Sequence, residues 1–156
     1  MLIQGKILSY GADLSEAFEI RRQVLINELQ KNEAEVFDDQ DSYAMHVIVY
    51  EQGNGCNPVA TGRITFDGSA CEIDQIAVLK EYREKKYGDF TVRMLINKAF
   101  TSGIHEVSVR TPIHLVDFFR KIGFNMKNEE NLKELKKECS MVIRDGDVLT
   151  CCNQKK

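Results

Sequence analysis

The 156-residue chain holds only two prolines, Pro58 and Pro112, no internal repeat and no low-complexity tract, so nothing marks an interdomain linker. No apolar run approaches the roughly 20 residues of a membrane-spanning helix. The first residues, MLIQGKILSY, lack the layout of a secretory signal. No CxxC spacing occurs among the five cysteines, Cys56, Cys71, Cys139, Cys151 and Cys152, and their number is odd. That pattern predicts reduced thiols in a cytoplasmic protein, with neither a disulfide frame nor a metal site. Within it, Cys139 reads as a small buried hydrophobe. The vicinal Cys151–Cys152 read as a plain tail, with a redox pair as the alternative. A net charge of −3 supplies no basic footprint for non-specific nucleic-acid binding. Two phosphate-binding signatures, GxxxxGK[ST] and GxGxxG, are absent. What is present is ordinary for a globular protein: 43% hydrophobic and 29% charged residues, in a length that suits one domain over 1–156.

The patterning predicts an α/β domain with a mixed, mostly antiparallel sheet flanked by helices. Residues 1–10 alternate as a strand. The run ADLSEAFEIRRQVLINELQ reads as a helix, with Asp13 and Glu16 spaced as a capping box and Leu14, Ala17, Phe18, Val24 and Leu25 on its apolar stripe. An acidic loop, NEAEVFDDQD, follows. Two strands are expected within 43–66, and the Asp67-Gly68 hairpin signal leads to a strand over 71–78. A helix after Gly88 places Val92, Leu95, Ile96, Ala99 and Phe100 on one face, closed near Gly103. A strand over 105–110, a short helix ending at Gly123 and a strand over 139–145 complete the chain.

The stretch EYREKKYGDF joins the strand 71–78 to that helix. Between residues 80 and 98, six cations face three acids, a local +3 inside an acidic protein. A helix amino end carries unpaired N–H groups and about half a positive charge, which suits an anion such as phosphate. Charge alone leaves two readings open, a solvated helix start and a site for a small polyanion.

The run IAVLKEYREKKYGDFTVRML resembles the acetyl-coenzyme A motif of the GNAT superfamily of N-acetyltransferases: an aliphatic strand end, then Arg/Gln-x-x-Gly-x-Gly/Ala, then a helix. Arg83 matches the first position and Gly88 the last, while Lys86 stands at the first glycine. FFRKIGF is similar to the family's FYEKLGF, and FEIRRQVLINELQ with the acidic loop is similar to the amino-terminal part of one bacterial branch. The resemblance implies acetyl transfer from acetyl-CoA to an amine. It places the pantetheine arm on backbone groups of Ile76 and Val78, with Ala77 between them, and the pyrophosphate on the N–H groups from Arg83 through Glu84, Lys85, Lys86, Tyr87 and Gly88 to Asp89. Tyr87 serves there or simply packs on the fold.

Deprotonating an alkylammonium acceptor calls for a base, and the carbonyl oxygen for an N–H donor, here Ile76 or Ala77. Strand alternation puts Glu72, Asp74, Ile76 and Val78 on one face. Glu72 matches the base of the histone-acetylating branch, with an edge-exposed carboxylate as the alternative and Asp74 as second candidate. The family's tyrosine acid is Phe119 here, and Pro112 replaces its usual asparagine. His114 reads as a surface residue near the cofactor, and His46 as a packed core histidine. The acidic run from Glu28 to Asp41 suits a cationic acceptor or is a solvated loop.

The sequence thus predicts an enzyme that acetylates a primary amine of a small molecule, with acetyl-CoA as co-substrate and no metal, nucleic acid or membrane partner. Monomer and homodimer are both open. A non-catalytic CoA-binding regulatory module is the alternative, and a phosphate-binding adaptor without CoA the third reading.

Overall fold

A computed structural model describes residues 2–127 and 137–150. Seven strands are observed: β1 Leu2–Leu8, β2 Met45–Gly53, β3 Gly55–Asp67, β4 Ala70–Val78, β5 Glu106–Pro112, β6 Asn125–Met126 and β7 Glu138–Arg144. They form one sheet in the order β1-β2-β3-β4-β5-β7-β6. Every neighbouring pair is antiparallel except β4 and β5, which are parallel. The mixed, mostly antiparallel sheet expected from the sequence is present; the two-residue β6 carries too short a pattern to be read in advance.

Helices cover both faces. On one lie α1, Ser15–Arg21, and its direct continuation, a π-type stretch Arg22–Glu28; the short α2, Glu33–Val36, follows. Ala17, Ile20, Val24 and Leu25 are buried there with Val36, Ile48, Tyr50 and Ala77. The expected capping box does not form. Asp13 instead accepts the Ser15 N–H at 2.9 Å, and Glu16 accepts the Tyr50 hydroxyl at 2.9 Å, which removes the second half of the box.

On the other face lie α3, Tyr87–Thr101, and α4, Val116–Ile122. Val92, Leu95, Ile96 and Ala99 are buried against β-strand residues including Val47, Ile64, Ile73 and Val107. Burying each of the larger side chains contributes about 1.5–3 kcal/mol. Gly62 lets α3 approach the sheet, since a Cβ there would lie 2.7 Å from Leu95 Cδ1.

Strand β4 does not alternate as the sequence suggests. Its register against β3 shifts between Thr61↔Ala77 and Arg63↔Asp74. Gln75 sits in the interruption at φ +51°, a β-bulge held by a non-glycine residue. The bulge inverts the parity of everything after it. Ile73, Ile76 and Val78 pack toward α3, whereas Ala77 and Leu79 pack toward α1. Glu72 and Asp74 therefore do not share a face with Ile76 and Val78, which corrects the alternation expected above.

Among the thiols, Cys71 and Cys139 are buried and Cys56 is exposed. Burial pushes the Cys71 thiol up to about 12, which makes it an inert packing residue. Cys151 and Cys152 lie outside the described residues.

Candidate active site

Strands β4 and β5 pair only at Glu72↔Ser108 and Ile73↔Val109. Beyond that point β4 has no strand partner on its β5 side among the described residues. The Leu79 N–H donates to Val59 O at 2.9 Å, so Leu79 and, two residues earlier, Ala77 direct their backbone groups at β3. Ile76 and Val78 consequently direct theirs into the gap. A wedge-shaped opening results, with Glu72 at its closed end and the turn 80–86 at its open end.

That turn delivers the chain to α3 through two left-handed residues, Glu84 at φ +63° and Lys86 at φ +68°. Each such non-glycine conformation costs about 1–3 kcal/mol and persists where surrounding contacts fix it. The first backbone bond of α3 runs from the Phe90 N–H to Lys86 O, and no side chain caps the helix. The N–H groups of Tyr87, Gly88 and Asp89 are thus without an intrahelical partner and lie at the positive end of a 15-residue helix. Lys80, Lys85 and Lys86, all exposed, precede them in the turn.

On the α1 face, five charged side chains form a network around Arg63, which is 1% exposed. Arg63 Nε and Nη2 donate to the two Asp74 oxygens at 2.8 and 2.7 Å. Its Nη1 donates to Asp38 Oδ1 at 2.6 Å and Asp41 Oδ1 at 3.0 Å. Arg21, fully buried, donates to Asp41 Oδ1 at 2.8 Å and to His46 Nδ1 at 2.9 Å. Since arginine has only donors, His46 Nδ1 is the acceptor, and its Nε2–H faces Asp41 O at 3.3 Å. His46 is therefore the neutral core histidine expected. Burial, then the Arg21 charge, hold its pKa below the usual 6.5.

The unfolded chain takes up a proton near pH 6.5 that the folded chain refuses, so stability is present above that pH and is lost as pH falls. The urea midpoint is expected to drop between pH 7 and pH 5.5, and by less in His46→Gln; equal drops would remove His46 from the account.

A model of the acetyltransferase (GNAT) family matches residues 12–124. The chain belongs to the GNAT family. It is 30% identical to the uncharacterised protein YyaT of Bacillus subtilis (strain 168) over 132 residues, which span 83% of this chain and 87% of YyaT. Among solved structures, Escherichia coli ElaA is similar in fold with TM-score 0.75, at 17% identity and covering 92% of this chain and all of that one. N-acetylglutamate synthase of Neisseria gonorrhoeae, complexed with coenzyme A and N-acetyl-glutamate, is similar with TM-score 0.65, at 18% identity, 92% of this chain and 35% of that one. As a GNAT member the chain is an N-acetyltransferase, and the family's donor is acetyl- or acyl-CoA.

Set on this GNAT frame, the residues singled out from the sequence divide sharply. Ile76 and Val78 line the gap, although Val78 O already accepts from Arg83 Nε at 3.1 Å. Ala77 is buried on the α1 face with its backbone toward β3, so of Ile76 and Ala77 only Ile76 directs its N–H into the gap. The Arg83 guanidinium grips Glu28, with both nitrogen–oxygen distances at 2.6 Å. Lys85 sits 5.5 Å from the Tyr82 ring centroid. The Tyr87 side chain is core, 2% exposed and edge-on to Tyr82, so only its N–H reaches the turn. The Asp89 carboxylate is taken by Arg93 Nε at 2.7 Å.

Asp74 is locked on Arg63 and is no free base. Glu72, with a side chain 43% exposed, pairs among the described residues only with Arg110 Nε, at 3.6 Å. Much of the acidic run is neutralised internally, with Glu28 on Arg83, Glu33 on Arg22, and Asp38 and Asp41 on the buried network. Phe119 is buried with rings of Phe118 and Phe124 around it, while His114 is on the surface.

Sequence reasoning missed Arg21, Arg63 and Phe118, and read Glu28 only as part of an acidic run. The Phe118 ring would lie 3.5 Å from a Cβ on Gly88, and Val78 Cγ2 at the same distance. Gly88 is helical, and a Cβ there would make ordinary contact with Val78 of β4 and Phe118 of α4, at the edge of the space between those elements. Gly88→Ala should leave CoA affinity within about threefold. Gly88→Val, which fills that space, should weaken it at least tenfold in calorimetric titration. Equal affinities would place the cofactor elsewhere.

Proposed function

We propose that residues 1–156 act as one acetyl-CoA-binding unit that transfers acetyl to the primary amine of a small molecule. The observation that carries this reading is the wedge between β4 and β5, which opens at Ile73/Val109 and runs to the uncapped amino end of α3. An extended arm with amide groups suits the backbone groups of Ile76 and Val78, and a pyrophosphate suits the N–H groups of Tyr87, Gly88 and Asp89 with Lys85 and Lys86 beside them.

Ile76, Val78 and the 87–89 N–H groups would hold acetyl-CoA, whose reactive thioester would be supplied toward the closed end of the wedge. Glu72 lies there, between Thr65 on β3 and Ser108 on β5. It is the proposed base, taking the proton of the acceptor ammonium directly or through water. The Ile76 N–H is the proposed donor to the acyl oxygen, where charge develops. Phe119 has no proton to give, so the departing thiolate leaves as such or is protonated by water. A small amino compound as acceptor is supported by the structural neighbour that was captured with N-acetyl-glutamate, an N-acetylated amino acid.

Acetyl-CoA turnover against a panel of amines, alcohols and thiols tests the reading. Turnover confined to alcohols or thiols would overturn the acceptor class, and failure to bind acetyl-CoA would overturn the whole proposal.

A further inference from the structure

We propose that Arg83 and Glu28 form a bracket that holds the 83–86 turn in its left-handed conformations, making Arg83 a positioning residue for coenzyme A rather than a phosphate ligand. The proposal rests on the cofactor reading above.

Three observations converge. First, all three guanidinium nitrogens are engaged: Nη1 and Nη2 on the two Glu28 oxygens at 2.6 Å each, and Nε on Val78 O at 3.1 Å. A planar fork on a carboxylate is the geometry an arginine holds with little loss of freedom, and bidentate pairing is the case in which a partly exposed ion pair counts. Second, Glu28 is itself anchored. It ends the π-type stretch whose Val24 and Leu25 are buried in the same cluster as Ala77 of β4. The bracket therefore ties the turn to a fixed body and to the last residue of β4 at once.

Third, the residues that follow require such fixing. Glu84 and Lys86 stand at φ +63° and +68°, and neither is a glycine. Left-handed residues with side chains persist where their surroundings over-determine them. The far end of the turn is pinned by the buried Tyr87 against Tyr82, with ring centroids 6.2 Å apart. Pinned at both ends, the turn presents the first N–H groups of α3 together with Lys85 and Lys86. The bracket thus compensates for the lysine that occupies position 86, where a glycine would adopt the same conformation without cost.

Titration of coenzyme A into the parent protein, Glu28→Gln, Arg83→Gln, Lys86→Gly and the Glu28→Gln/Lys86→Gly pair tests this. Thermal midpoints confirm that each variant is folded. Glu28→Gln and Arg83→Gln should each weaken coenzyme A by about tenfold. In the Lys86→Gly background, the Glu28→Gln loss should shrink to less than about threefold, because glycine no longer needs the bracket. Unchanged or tighter binding by Glu28→Gln, with Arg83→Gln weakened, would make Arg83 a direct phosphate ligand and overturn the proposal. Equal Glu28→Gln losses in both backgrounds would show that the pair does not act through the turn. A parent that does not bind coenzyme A would refute the cofactor reading itself.

Discussion

Glu72→Gln is expected to keep acetyl-CoA affinity and to lose about 10²–10⁴-fold in turnover, the usual contribution of a general base. The amide preserves size and polarity but cannot accept the proton of an ammonium. The loss should narrow as pH rises, because a growing fraction of the amine is then neutral without help. Two features favour Glu72 over its neighbour two residues on. Its carboxylate is exposed at the closed end of the wedge with one loose partner, Arg110 at 3.6 Å, whereas Asp74 is clamped by Arg63 at 2.7 and 2.8 Å. Initial rates for the parent and Glu72→Gln across pH 6.5–9.5, with the best acceptor from the amine panel, make the measurement. Full activity of the variant at every pH would remove Glu72 from the chemistry and leave the amine to ionise unaided.

Arg63→Met should produce the largest change in stability, a loss of about 3–5 kcal/mol. Methionine fills much of the volume but leaves Asp38, Asp41 and Asp74 facing one another without the cation that joins them. Burial alone would lower the Arg63 pKa, yet the Asp74 and Asp38 hydrogen bonds outweigh it and raise the value, a sign of how strongly the charged form is held. In a chain of this length the loss corresponds to a thermal midpoint lower by roughly 10 °C or more. Arg110→Met is the contrast: with a 70% exposed side chain and one partner at 3.6 Å, it should shift stability by less than about 1 kcal/mol. Urea denaturation of both variants decides the matter. An Arg63→Met protein within 1 kcal/mol of the parent would mean that the carboxylates relax into solvent and that the network is not a stability element.

What the sequence disclosed follows from what leaves a periodic trace. The apolar stripe of α3 and the alternation of β5 and β7 are repeats of 3.6 and 2, so they were readable, as was the basic turn placed between strand 71–78 and its helix. The bulge at Gln75 left no trace, because bulges are usually signalled by glycine and here a glutamine takes φ +51°. One unmarked residue was enough to misassign the faces of Ile76 and Val78. The buried network was hidden for a related reason. Arg63 sits in ATGRITF, which reads only as part of a strand, and its face is covered by the 38–41 loop and α1. A signal did exist: Arg63 and Asp74 face each other across an antiparallel pair, and Arg21 interrupts an otherwise apolar helical stripe. The grip of Glu28 on Arg83 spans 55 residues, a separation at which no local pattern operates.

The wedge has a consequence for how the protein exchanges hydrogen with water. A central strand ordinarily shelters all its amides, one set on each neighbour. Strand β4 carries two classes within four residues. The amides of Ala77 and Leu79 are directed at β3 and are sheltered by the sheet. Those of Ile76 and Val78 are directed into the gap, without a strand partner there among the described residues, although they alternate with the sheltered ones. A molecule seated along the gap slows only the second class, so the deuterium uptake of two alternate amides reports its arrival while their neighbours act as the internal standard.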